Sequence, residues 1–145
     1  MKLLIQRVSE ANVSVDGKIV SQIGKGILAF IGIEKGDTMD AVGGLAKKLL
    51  EFRLFEDKNG KMNLSIKDVQ GEILVVSEFT LAADVRKGAR PSFDSAEVPD
   101  RAKEMITAFV RFLKDEVSGV KEGIFGAHME VSLRNDGPVT FYLSL

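Results

Sequence analysis

The chain has 145 residues, 45% of them hydrophobic, with a formal net charge of −1, one histidine and no cysteine. That length and apolar fraction fit a single domain over residues 1–145 with its own core, and the near-neutral charge argues against a protein that grips long nucleic acid through many phosphates. Without cysteine there are no disulfides, thiolate nucleophiles or thiolate metal ligands, and a lone His128 excludes a histidine-rich cluster, so neither metal nor cofactor is expected. No apolar run reaches the length of a membrane span and charge follows at once at Lys2 and Arg7, so the expectation is a cytosolic protein with no membrane or DNA partner.

The first third reads as strands: Leu3 to Val8, Asn12 to Val15, a hairpin turn at Asp16-Gly17, Ile19 to Ile23, then Gly26 to Ile33. Asp37 is placed to cap a helix in which Met39, Val42, Leu45, Ala46, Leu49 and Phe52 recur at helical spacing, leaving Lys47 and Lys48 outside. Gly43-Gly44 inside it costs up to about 1 kcal/mol per glycine against alanine and points to close packing or a ragged start. Arg53-Leu54-Phe55 reads as a strand ended by a turn at Asp57-Lys58-Asn59-Gly60. Ile73 to Val76 is a continuous apolar run of the kind buried on both faces.

A second helix is predicted from Pro99-Asp100 to about Val117, burying Ala102, Met105, Ile106, Phe109, Val110 and Leu113. Strands close the chain: Met129, Val131 and Leu133 alternate with polar residues, as do Val139, Phe141 and Leu143. The fold class is therefore α/β, one domain, with a largely antiparallel sheet covered by two long helices.

Several segments carry candidate chemistry. Ser77-Glu78-Phe79-Thr80-Leu81 sets polar groups at the end of the buried run, a rigid support for a site. A serine-hydrolase arrangement lacks a base, since His128 has no nucleophile elbow to serve. Ile23-Gly24-Lys25-Gly26 lacks the ending of a nucleotide loop, and Glu51, Glu56, Asp57 and Asp68 fit no metal loop. Arg86-Lys87-Gly88-Ala89-Arg90-Pro91 is either a solvated loop or a local basic contact. Asn135-Asp136-Gly137-Pro138 reads as an ordinary connection between strands, or as a cis Gly-Pro unit whose two neighbouring carbonyls turn the same way to meet an ammonium group.

The chain resembles the D-Tyr-tRNA deacylase family of D-aminoacyl-tRNA deacylases from end to end. The resemblance is carried by Gln6-Arg7-Val8, Ile23-Gly24-Lys25-Gly26, Phe55-Glu56-Asp57, Gly60 to Ser65, Ser77-Glu78-Phe79-Thr80-Leu81, Gly88 to Phe93, Phe125-Gly126-Ala127 and Asn135 to Thr140. The family motif usually reads Ser-Gln-Phe-Thr, and this chain has Glu78 where glutamine is usual.

The resemblance implies the family's barrel-like sheet and a homodimer. It also implies hydrolysis of the ester between a D-amino acid and the terminal adenosine of tRNA. In that reading Ser77, Phe79 and Thr80 form the catalytic segment, with the Phe79 and Thr80 N–H groups as oxyanion donors. Gly137-Pro138, positioned by Arg7, enters the partner's site, meets the α-amino group and rejects L-amino acids, while Glu78 borders the substrate. Arg86, Lys87 and Arg90 would contact the tRNA acceptor end, and glycyl esters would be accepted to some extent. The alternative is a non-catalytic nucleic-acid-binding module on the same fold, and a third reading is an esterase with no need for RNA.

Overall fold

The computed structural model describes residues 1–86 and 88–144. In chain order they form β1 (Lys2–Val15), β2 (Lys18–Ile23), β3 (Gly26–Gly32), α1 (Met39–Glu51), β4 (Phe55–Glu56), β5 (Met62–Leu64) and β6 (Glu72–Ser77). A 3₁₀ turn (Phe79–Ala82), α2 (Pro99–Lys114), β7 (Val120–Glu122) and β8 (Glu130–Ser144) follow.

The sheet is assembled on β1. Its first half pairs antiparallel with β3, Lys2 opposite Gly32 and Val8 opposite Gly26, and its second half with β2, Ala11 opposite Ile23. Along its other edge runs β8. The sequence suggests two strands over this stretch, and the structure has one of 14 residues. Side-chain phase explains the difference. Leu3 and Ile5 are buried with the helices, whereas Val8, Ala11 and Val13 join a second cluster, so the alternation slips at Arg7-Val8 while the strand continues and curls.

Beyond β3 the pairing turns parallel: β6 lies beside β3 and β7 beside β6. Ile27, Ala29, Ile73 and Val75 face the helices, and Leu28, Leu74 and Val76 face the second cluster, so these strands are buried on both sides as their apolar runs demand. Gly26 is required here, since a Cβ on it would lie 1.8 Å from the Glu72 carbonyl oxygen. The result is a nearly closed, barrel-like sheet with two helices on one face, as expected.

The helices differ in detail from the sequence reading. Thr38, not Asp37, caps α1, its hydroxyl accepting the Ala41 N–H at 3.2 Å. Asp37 instead accepts the Glu34 N–H at 2.7 Å and pairs with the Met1 ammonium at 2.6 Å. Met39, expected in the apolar stripe, is exposed. Gly43 lies against the Phe112 ring, where a Cβ would make an ordinary contact at 3.5 Å. The helix α2 ends at Lys114, one turn short of Val117.

Candidate active site

The carboxyl end of a parallel strand is where α/β sheets present ligands, and β6 delivers Ser77 there. The chain then turns at once. The Glu78 N–H donates to the Ile31 carbonyl at 2.8 Å, and Gly32 lets this backbone approach, since a Cβ on it would stand 2.9 Å from the Glu78 carbonyl oxygen. From this anchor the 3₁₀ turn begins, capped by the Glu78 side chain. Glu78 Oε1 accepts the Thr80 N–H at 3.2 Å and also the Thr80 hydroxyl. The Thr80 N–H is thus engaged by its own chain, while the Phe79 N–H makes no hydrogen bond among the described residues. The Phe79 ring, 61% exposed, packs against Phe93 with centroids 5.0 Å apart.

Behind this segment opens a cavity of about 470 Å³. Ser77, Glu78 and Phe79 form one end, Ala102 and Ile106 of α2 one wall, and Phe125 to Met129 the other. Its walls are mostly apolar, and its volume falls in the range of small-molecule sites. His128 is exposed on the rim, so it borders the site without being buried in it. The lining by Ala102, Ile106 and Met129 is not visible as a motif, because it arises only when α2 and the approach to β8 are brought beside β6.

The Asn135 to Val139 stretch is not a connection between two strands. It is a bulge within β8: Gln6 pairs with Thr140 and Val8 with Asn135, so residues 136–139 are extra residues opposite Arg7, with Val139 turned into the core. Asn135 closes its base, Oδ1 accepting the Val139 N–H at 2.8 Å and Nδ2 donating to the Val139 carbonyl at 3.2 Å. Arg7, 6% exposed, supports it from below, donating from Nε to the Asp136 carbonyl and from Nη1 to the Leu54 carbonyl, both at 2.8 Å. The Gly137-Pro138 peptide is cis, and both residues are exposed. Neither lines the cavity of its own chain.

Residues 4–144 match the family described as D-Tyr-tRNA(Tyr) deacylase. The chain belongs to this family. A D-aminoacyl-tRNA deacylase of Persephonella marina is 54% identical over 143 residues, 99% of this chain and 97% of the relative. One of Thermodesulfovibrio yellowstonii is 55% identical over 144 residues, covering 99% of both. Among solved structures, the c-Myc DNA Unwinding Element Binding Protein superposes with a TM-score of 0.95 at 40% identity, over 100% of this chain and 99% of that one. A probable eukaryotic D-amino acid tRNA deacylase shares the fold, with a TM-score of 0.81 at 18% identity.

Within this deacylase family chain, Arg86 and Arg90 are not among the residues that line the cavity. Arg86 makes a forked ion pair with Asp84, Nη2 at 2.6 Å and Nε at 2.9 Å, and these hydrogen bonds hold the Asp84 carboxyl well below the usual carboxylate range. Arg90 is exposed, and Lys87 lies outside the described residues. Among the described residues no helix is long and apolar enough to cross a membrane, and no three carboxylate or imidazole groups converge as metal ligands.

Proposed function

We propose that this chain hydrolyses D-aminoacyl-tRNA to free tRNA and D-amino acid and spares the L-ester, a chiral proofreading step. The carrying observation is the separation of parts: a cavity ends at Ser77 to Phe79, while the Gly137-Pro138 projection is exposed and does not line it. Two copies placed so that each projection enters the other's cavity complete both sites.

In this reading the cavity holds the terminal adenosine and the ester carbonyl lies at the Phe79 N–H. Water adds to the carbonyl carbon, helped by the ribose 2′-OH. The Phe79 N–H stabilises the oxyanion, and the ester C–O bond breaks with the proton passing to the ribose oxygen. The Gly137 and Pro138 backbone meets the α-ammonium and leaves no room for a side chain of L configuration. Exclusion by backbone supplies discrimination of about 10⁴, which a missing hydrogen bond alone rarely reaches. Glycyl esters, with no side chain to exclude, are hydrolysed as well. Arg90, Arg86 and Lys87 contact the acceptor end.

Paired deacylation of D-Tyr-tRNA and L-Tyr-tRNA tests this reading. Rapid loss of the D-ester alone supports it, and equal cleavage or none sinks it. The name of the 40% identical solved structure favours one second reading, a nucleic-acid-binding module that does no chemistry. Binding of tRNA or DNA without cleavage of either ester is its signature.

A further inference from the structure

Ser77, Ile106 and Phe125 line two cavities at once. Beside the chamber already described lies a second of about 380 Å³, lined also by Lys103, Thr107, Glu122 and Gly123. Adjacent rows of α2 border the pair: Ala102 and Ile106 the first, Lys103 and Thr107 with the shared Ile106 the second. Phe125, half-buried, stands at the partition.

We propose that this second chamber is the subsite for the nucleotide preceding the terminal adenosine, with Lys103 meeting the phosphate that joins the two. The inference rests on the deacylase reading. Two neighbouring chambers divided by an aromatic residue suit two successive nucleotides of a single strand, whose bases stack on aromatic faces and whose backbone follows a cation.

The charges single out Lys103. Arg101 is paired with Glu97 at 3.3 Å and Lys114 with Glu122 at 3.1 Å, whereas Lys103 has no carboxylate partner among the described residues. Thr107 donates its hydroxyl proton to the Lys103 carbonyl at 2.8 Å, which leaves its oxygen to act as an acceptor, suited to a ribose hydroxyl or an exocyclic amine. In the basic loop, Arg86 is already bound to Asp84.

Two minimal substrates isolate the subsite: D-tyrosyl adenosine, which has no phosphate, and D-tyrosyl cytidylyl-adenosine, which adds one phosphate and one nucleotide. The expected result is a KM about tenfold lower for the dinucleotide ester, a ratio that falls toward one in Lys103→Glu and is restored in Lys103→Arg. Equal KM values in the unmodified protein, or a ratio that survives Lys103→Glu, overturn the subsite while leaving the deacylase reading intact. Failure to cleave either minimal ester or D-Tyr-tRNA overturns both.

Discussion

Arg7 and Asp136 are 129 positions apart in the chain, yet the Arg7 guanidinium donates to the Asp136 carbonyl at 2.8 Å and so fixes the foot of the β8 bulge. The same side chain holds the Leu54 carbonyl and is almost fully buried. Arg7→Ala leaves two backbone acceptors without their charged donor, a loss of about 2–4 kcal/mol. Chemical denaturation is expected to give a lower midpoint at an unchanged slope. Arg7→Lys fits the fork poorly and should retain less than half of that stabilisation. An Ala variant within 0.5 kcal/mol of the parent, taken as an order of magnitude for surface changes, refutes the anchoring role.

Gly137 has φ of 150°, and a Cβ on it would meet Val139 Cγ2 at 2.7 Å and the Val139 N at 2.8 Å. Val139 is buried and its N–H is held by Asn135, so it has nowhere to retreat. Gly137→Ala should therefore displace the projection while the remaining fold survives. The expected readout is a D-to-L rate ratio reduced by about 10² with an unaltered circular dichroism spectrum, because exclusion depends on backbone position at the ångström scale. Retained selectivity would show that the projection does not discriminate.

How far these features were legible from sequence depends on the range of the contacts involved. The Ile73 to Val76 run and the helical spacing from Ala102 to Leu113 are local patterns, and both elements lie where the sequence places them. Asn135-Asp136-Gly137-Pro138 has the composition of a turn, and only its partner strand decides that it is a bulge: β1 runs past it unbroken. The slip of alternation at Arg7-Val8 is hidden for the same reason, since it depends on two separate clusters. Of the cavity, the Ser77 to Phe79 end was foreseeable, as a segment closing a core strand. Ala102 and Met129 were not, because ordinary core residues acquire that role only through tertiary packing.

Asp84 and Arg86 neutralise one another in the loop assigned to the acceptor end. The folded-state shift of Asp84 is downward, caused first by the Arg86 side chain and then by the Arg86 N–H. A depressed carboxylate stabilises the folded loop above its unfolded value, about 4, and the contribution is lost as pH falls through and below that value. At neutral pH the pair is therefore intact. Asp84→Asn releases the guanidinium for phosphate, and tRNA affinity should rise about threefold at low salt with a steeper salt dependence. Filter binding over a salt series checks this, and an unchanged slope would separate Arg86 from the RNA.

Glu78 binds both the N–H and the hydroxyl of Thr80 through one oxygen. A glutamine carbonyl can accept the same two protons, so a carboxylate and an amide serve this cap alike. Glu78→Gln is accordingly expected to keep kcat for D-Tyr-tRNA within about threefold, whereas Glu78→Ala removes the cap, frees the Thr80 backbone and should lower kcat by 10² or about that. Thr80→Ser retains both donors and should lie near the parent, while Thr80→Val keeps the N–H contact and isolates the hydroxyl. A hundredfold gain in Glu78→Gln would mean that the negative charge, not the cap, governs the site. A fully active Glu78→Ala would detach the Glu78 to Thr80 contact from catalysis altogether.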